Sequence, residues 1–466
     1  MILDKSQQKI VDNNDNRICV IAGAGSGKTR CLVERVKRLL NDGVSPYSIV
    51  CITLTNMAAS EMRERLKDVP QSASMFIGTI HSYAYKLYYR QHRSKIKLLT
   101  DYDKRKLAHE IVEKKAKHLT VEAYDNWSKM SSSRDAGYAL KAEVNATLDT
   151  DQADELAQIF DFENLAQLSL SVPLKERAAF IRKHAKRSSS DDNNELSLKQ
   201  LAAKKGYISF DDLLTKAVES SKGLNIEHML VDEFQDIGIY EYEFINKLNP
   251  KNLFVVGDDY QSIYEFKGSD FEYFKSLISN PDFTVFKLVN NYRCSKKIVN
   301  FSNNVIKQID DVIPKKCVSK SEYFDSSVTQ KDGNINDVFN YIKSINFKDL
   351  GKWFVIARSN DDVVRISRMC YACSIPAVTF KKSTMTPEEL NDALKSNAIK
   401  ILTIHTAKGL ESDNVLLYGP FPKDADESYW KNPWVGTELC RIYYVGATRA
   451  RKRLVVIGNA YQPDIQ

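Results

Sequence analysis

The chain has 466 residues, of which 43% are hydrophobic and 27% charged, a balance that suits a soluble globular protein and excludes disordered, collagen-like and disulfide-knotted classes. At roughly 150 residues per domain this length allows about three domains. Net charge is +7, a mild basic excess that permits a polyanionic partner without identifying one.

The opening stretch MILDKSQQKIVDNNDN lacks the basic, apolar and small-residue order of an export signal. No run approaches the ~18 to 20 apolar residues of a membrane span, so a cytoplasmic protein with no membrane contact is expected. Eight cysteines are scattered, and only Cys370 and Cys373 lie close together. Without a second CxxC or a nearby His pair, they read as reduced thiols rather than metal ligands.

Short runs rich in Val and Ile follow one another along the chain: RICVIA (17–22), SIVCIT (48–53), HMLVDE (228–233), NLFVVGD (252–258), KWFVIAR (352–358), NVLLYG (414–419) and RLVVIG (453–458). Helical patterns lie between many of them, which predicts an α/β protein with enough buried parallel strands for two sheets. From roughly 89 to 205 the pattern changes to polar helical segments, KRKLAHEIVEKKAKHL (104–119) and LKERAAFIRKHAKR (174–187) among them. This predicts a helical insertion within the first α/β unit, with SSSDDNNELS (188–197) as an exposed loop.

RICVIA runs directly into AGAGSGKT (22–29) and then into the helical pattern RCLVERVKRLL. A Gly-rich turn between strand and helix presents backbone N–H groups to phosphate oxygens, at the helix end whose dipole favours anions. In that pattern Lys28 reaches the β and γ phosphates, and the Thr29 hydroxyl ligates Mg²⁺. The strict P-loop begins with Gly where this chain has Ala22, while Gly23, Gly25 and Gly27 preserve the turn. LVDEFQD (230–236) supplies the complementary carboxylates at a strand end: Asp232 for the metal, and Glu233 to orient and deprotonate the attacking water.

The ordered segments DKSQQKI (4–10), AGAGSGKT (22–29), ITLTNMAASEMRERL (52–66), GTIHSYAYKL (78–87), LVDEFQDI (230–237), VGDDYQSIYEFKGSD (256–270), LVNNYRCSKKIV (288–299), ILTIHTAKGLESDNVLL (401–417) and ELCRIYYVGATRARKRL (438–454) resemble the motif series of superfamily 1 helicases of UvrD/Rep type. The resemblance implies an α/β fold of two RecA-like P-loop domains with parallel sheets. Domain 1A would be 1–88 and 206–285, a helical domain 1B 89–205, and domain 2A 286–466. The large domain that relatives insert in 2A, called 2B, is replaced here by residues 381–400, room for one helix and its loops.

For the nucleotide, the resemblance implies that ATP and Mg²⁺ lie between the two domains, with Ala22, Gly23, Ala24, Gly25, Ser26, Gly27, Lys28 and Thr29 around the phosphates. Gln8 resembles the adenine-reading glutamine and Arg30 the residue packing on the base. Gln261 resembles the γ-phosphate sensor. Tyr292 would stack on adenine and Glu411 would accept a ribose hydroxyl. Arg293 and Arg449 are the expected arginine fingers, with Lys408 as a third positive charge.

For the track, it implies single-stranded DNA and single-strand/duplex junctions held by Thr53, Leu54, Asn56, Thr79, His81, Tyr264, Phe266, Lys267, Thr403 and His405. Leu54 stands where many relatives carry Phe, and Lys267 where they carry Arg, which removes one stacking face and one planar donor. The expected activity is an ATP-dependent DNA helicase or translocase of 3′ to 5′ polarity. The alternative is a motor subunit acting with a nuclease or other partner in repair, recombination or anti-phage defence. RNA shares the backbone and base faces such motifs bind, so the choice of track stays open.

Overall fold

The computed structural model describes residues 3–93, 95–100, 102–103, 106–107, 198–264, 269–307, 309, 312–323, 325–380, 385, 387–419 and 433–458. The chain divides into two units, Met1–Leu87 with Ala217–Gln466, and Tyr88–Lys216. β1 (Arg17–Ala22), β2 (Ile49–Thr53) and β3 (Phe76–Thr79) open the first unit. In the second unit β4 (Lys97–Leu98) pairs in parallel with β5 (Tyr207–Ile208). There the Tyr207 hydroxyl donates to Asp103 at 3.0 Å, and Leu99, Leu107, Leu201 and Ala202 form a small apolar cluster. The expected helical insertion falls mostly on residues 108–197, and that stretch, with the loop SSSDDNNELS, lies outside the described residues.

β6 (His228–Val231), β7 (Asn252–Gly257) and β8 (Thr284–Leu288) complete a six-stranded sheet of order β3-β2-β6-β7-β1-β8, parallel throughout. β9 (Asn290–Asn291) and β10 (Val318–Ser319) form a short parallel pair. β11 (Ser327–Lys331), β12 (Trp353–Ala357), β13 (Ala377–Thr379), β14 (Ile399–Thr403), β15 (Ser412–Tyr418) and β16 (Ala450–Ile457) build a second six-stranded sheet of order β11-β16-β15-β12-β14-β13, again parallel. Two parallel sheets with helical crossovers are the α/β architecture of two RecA-like domains.

The apolar runs of the sequence are central strands, and of the five strands of the two sheets that it did not display as such, four, β3, β8, β11 and β13, are the sheet edges. An edge strand is covered on fewer sides, so β11 can read SVTQK and β8 TVFKL without a continuous apolar run. β14 is a central exception: its run is interrupted by Lys400, which is buried and donates from Nζ to the Gly351 carbonyl at 2.9 Å and the Ser396 carbonyl at 2.7 Å. Those carbonyls satisfy the ammonium, so the lysine occupies an interior strand position. Because β8 belongs to the first sheet, a division at 285/286 falls inside a strand.

The helix Lys28–Asn41 buries Cys31, Leu32, Val36 and Leu39 against Val20 of β1 and Phe254 and Val256 of β7. Each such aliphatic side chain contributes about 1.5 to 3 kcal/mol on full burial. In the second half, β13 and β14 pair directly, Ala377 opposite Ile399, and the helix Pro387–Lys395 is the connection between them. Ile263, from the loop after β7, packs into the core of the second sheet with Cys294, Ile298 and Ile404. Among the described residues no helix is long and apolar enough to cross a membrane.

Candidate nucleotide site and nucleic-acid track

All six strands of the first sheet point the same way, so the loops after β1, β2, β3, β6 and β7 emerge at one edge. The loop after β1 takes left-handed backbone at Gly25 (φ 64°) and Gly27 (φ 84°) before the helix begins at Lys28. It is closely wrapped: a Cβ on Gly25 would lie 2.7 Å from the Arg293 Cβ, and one on Gly27 would lie 2.7 Å from Gln7 Nε2. Asn291 Nδ2 donates to the Ala24 carbonyl at 2.8 Å, the Tyr292 N–H to the Gly25 carbonyl at 2.9 Å, and the Ala24 N–H to the Tyr444 hydroxyl at 3.2 Å. The Ser26 hydroxyl is buried and, among the described residues, has no hydrogen-bond partner.

Lys28 Nζ lies 3.2 Å from Glu233 Oε2, and Thr29 Oγ1 donates to Asp232 Oδ2 at 3.1 Å. Burial opposes the Lys28 charge, yet the carboxylates of Glu233, Asp258 and Asp232 hold its pKa above the ordinary value. Burial and the adjoining Glu233 carboxylate raise Asp232, whereas at Glu233 the burial penalty is overcome by Lys28 and Lys408, which hold that carboxyl down. The Thr29 hydroxyl and the Asp232 carboxylate, facing each other where the loop enters the helix, are oxygen ligands of the kind that Mg²⁺ takes from a protein. Among the described residues no group of three His, Cys, Asp or Glu side chains could hold a metal on its own.

Gln235, absent from the expected set, knits this edge together. Its Nε2 donates to Glu233 Oε2 at 2.9 Å and Asp236 Oδ2 at 3.0 Å, while its Oε1 accepts the Asp258 N–H at 2.8 Å. Gln261 Nε2 donates to Asp258 Oδ2 at 2.6 Å, and its Oε1 accepts from Arg449 Nη2 at 3.1 Å. Arg449 stands before β16 of the second sheet and is 1% exposed, and burial followed by the Arg293 charge lowers its pKa to about 10. Lys408, also from the second half, donates to Asp236 and to the Gln261 carbonyl at 2.7 Å. Lys28, Asp232, Glu233, Gln261, Arg449 and Lys408 therefore converge on one buried locus shared by the two sheets.

One expectation at this locus is corrected. Gln8 is exposed and its amide binds Asp12 at 2.9 Å; it is Gln7, 2% exposed, that donates to the Ser26 carbonyl at 2.9 Å. The helix Lys5–Asp12 carries an Asp4–Gln7 capping box, which turns Gln7 inward and Gln8 outward. Glu411 accepts from Arg293 through Oε2 and from Arg451 Nη2 and Nε at 2.5 and 3.1 Å through Oε1. Both its oxygens serve guanidinium groups, and against the burial penalty those two charges hold its carboxyl below the ordinary range. A carboxylate has about four acceptor positions, so these three bonds hold the two arginines and leave one position open on Oε2. Arg30 is half-buried, and Tyr292 donates its hydroxyl to Asp4, which also accepts from Asn290 Nδ2 at 2.9 Å.

Along the expected track, Leu54, 38% exposed, and Asn56 project at the end of β2. Thr53 does not: it is buried, and its hydroxyl donates to the Thr55 carbonyl at 3.0 Å. Thr403 is likewise buried and caps the turn after β14 by accepting the Thr406 N–H at 3.2 Å. Both threonines end central strands, where the hydroxyl completes the turn and has no open face, so neither is an exposed contact. Thr79 accepts the Ser82 N–H at 3.3 Å at the start of the helix Ile80–His92, and His81 Nε2 lies 3.8 Å from Glu241. Tyr264 and His405 come from opposite halves, with ring centroids 5.9 Å apart. Phe266 and Lys267 lie outside the described residues.

Gln7, Asn291, Gln235 and Asp236 were not among the expected site residues. Gln7 adjoins Gln8 in a Gln-Gln doublet, and Gln235 and Asp236 stand inside DEFQD (232–236), so helix phase and side-chain direction are what distinguish them.

Residues 3–282 match the UvrD/REP helicase N-terminal domain, and residues 377–461 match the UvrD-like helicase C-terminal domain. A probable DNA helicase of Mycoplasma pneumoniae is 28% identical over 491 residues, covering 98% of this chain and 84% of that protein. The ATP-dependent DNA helicase PcrA of Leuconostoc citreum is 27% identical over 73% of this chain and 44% of its own length, and PcrA of Bacillus subtilis 28% identical over 67% and 40%. The match thus spans less than half the length of the two PcrA proteins.

Proposed function

Because this chain belongs to the UvrD/Rep family of helicases, we propose that it is an ATP-dependent DNA helicase that moves 3′ to 5′ along single-stranded DNA. The observation that carries the proposal is the bond between Gln261 and Arg449, which joins the first sheet's catalytic edge to the second sheet. A hydrolysis site assembled from two bodies is sensitive to their relative position, so the nucleotide state and the grip on DNA can be linked.

In this reading the loop 22–29 and Lys28 hold the phosphates, and the orphan Ser26 hydroxyl gains an acceptor or donor there. Thr29 and Asp232 would hold Mg²⁺, which supplies neutralisation of phosphate charge. Glu233 orients and deprotonates the attacking water. Once Lys28 is drawn to a phosphate, Glu233 loses its nearest cation and becomes the stronger base that this role requires. Arg293 and Arg449 stabilise charge on the transferring phosphoryl group, and Gln261 links that event to Lys408. Gln7 and Tyr292, tied together through Asp4, stand where the base would be read and stacked. The first RecA-like domain then runs through β8, with 89–205 as the inserted domain and the remainder as the second.

On the track, Leu54, Asn56, Thr79, His81 and the Tyr264–His405 pair would hold single-stranded DNA, the aromatic pair supplying stacking worth ~1 to 3 kcal/mol per base. Strand displacement on 3′-tailed, 5′-tailed and blunt duplexes with ATP tests the proposal. Displacement from the 3′-tailed substrate alone is expected, and its absence overturns helicase action. A second reading, a translocating subunit that unwinds only with a protein partner such as a nuclease or repair factor, is favoured by the direct β13–β14 pairing, which leaves one helix in place of a duplex-contacting domain. DNA-stimulated ATP turnover without displacement would select that second reading.

A further inference from the structure

The side chain of Lys315 is wholly buried, and it belongs to none of the motifs that carry the proposed chemistry. Its Nζ lies 3.0 Å from Asp258 Oδ1 and also binds Asp259, and all three side chains have no solvent exposure. The ammonium rests 3.5 Å from the centroid of the Tyr260 ring, and the Tyr260 hydroxyl donates to the Lys315 carbonyl at 2.7 Å. Asp259 Oδ2 accepts the Ile313 N–H at 2.8 Å, so the stretch 313–315 is fastened to the loop after β7 at several points. Against its own burial, the two carboxylates keep Lys315 charged, with its pKa raised above the ordinary value.

The two oxygens of Asp258 divide their work. Oδ1 faces Lys315 and accepts the Tyr260 N–H at a longer 3.3 Å, and Oδ2 accepts from Gln261 Nε2 at 2.6 Å. An amide whose nitrogen is fixed by a carboxylate must turn its oxygen the other way, and Gln261 Oε1 is the atom that meets Arg449. The ammonium therefore sets the carboxylate, the carboxylate sets the amide, and the amide sets the arginine. We infer that Lys315 is a positioning residue for ATP hydrolysis, holding Gln261 through Asp258 so that Gln261 and Arg449 are aligned with the transferring phosphoryl group.

This inference rests on the ATPase reading above. Removing Lys315 alone would leave two buried carboxylates facing each other, so the informative variant is Lys315→Met with Asp259→Asn. It keeps one negative charge in the pocket, as the ion triad does, while depriving Asp258 of its cation. Asp259→Asn alone keeps the Lys315–Asp258 pair and is the control.

The experiment measures DNA-stimulated ATP turnover, the KM for ATP and thermal melting in the full chain, and repeats the turnover with Gln261→Ala added to each background. The double variant should lose about 10- to 100-fold in kcat, the scale of a misplaced catalytic contact, with KM and melting close to those of Asp259→Asn. Gln261→Ala should cost little more in that background, because the amide is already out of position. A kcat equal to the control, or full additivity with Gln261→Ala, overturns the inference. If the double variant melts early, Lys315→Gln with Asp259→Asn, which retains an N–H toward Asp258 at the same net charge, should recover turnover above the double variant; no recovery likewise overturns it. Absence of turnover in the unmodified chain would instead refute the ATPase reading.

Discussion

Gln7 and Gln8 are neighbours of identical chemistry, and the helix Lys5–Asp12 sends one to the Gly-rich loop and the other to solvent. Gln7→Ala removes the donor to the Ser26 carbonyl and opens the capping box, leaving a buried acceptor unpaired at a cost of about 1 to 3 kcal/mol. It is expected to raise the KM for ATP and to relax the preference for ATP over GTP. Gln8→Ala removes only an exposed pairing and should leave both unchanged, with stability within about 0.5 kcal/mol. Steady-state kinetics with the two nucleotides, together with urea unfolding, check the contrast. The same residue-scale lesson applies to Thr53 and Thr403, which the family resemblance places on the DNA track. Strand ends with buried hydroxyls turn both to local hydrogen bonding.

At the scale of elements, the loop after β1 depends on its neighbours as much as on its own glycines. Gly25 has φ 64°, and a Cβ there would meet the Arg293 Cβ at 2.7 Å and Asn291 Oδ1 at 2.8 Å. Gly25→Ala therefore adds backbone strain and pushes the loop away from β9, whose Tyr292 neighbour donates to the Gly25 carbonyl. A loss of roughly 1 to 3 kcal/mol in unfolding free energy is expected from the strained residue. Nucleotide affinity should fall alongside it, read by titration of a fluorescent ATP analogue. Edge and central strands separate in the same physical way. Most central strands contain a Val-Ile run, whereas the edges β8 and β11 carry polar residues that an edge tolerates and the edges β3 and β13 are only four and three residues long. Lys400 shows that a central strand can also be masked when backbone carbonyls satisfy a buried ammonium.

For the molecule as a whole, the proposed ATP site draws Lys28 from one sheet and Arg449 and Lys408 from the other. A ligand that binds only the folded, joined state stabilises it by mass action, about 2.7 kcal/mol at a hundred times its Kd. A non-hydrolysable ATP analogue with Mg²⁺ is therefore expected to raise the melting temperature of the unmodified chain. The rise should be lost in Lys28→Ala and reduced in Arg449→Ala, whose side chain belongs to the second sheet. An equal thermal shift in Arg449→Ala would mean that the second half takes no part in binding, as measured by differential scanning calorimetry.

The sequence by itself determined the family, the two parallel sheets and the order of the chemical motifs, because strand-loop-helix patterning and phosphate chemistry depend on residues close together in the chain. It also located a helix between β13 and β14, now seen at Pro387–Lys395, because the length of chain between two strands is read directly. Only the tertiary structure decided which glutamine faces the loop, that Glu411 holds Arg293 and Arg451, and that Lys315 stands behind Asp258 and Gln261. These are contacts between residues remote in the chain, and their outcome depends on side-chain direction and burial, which exist only once the sheets have formed.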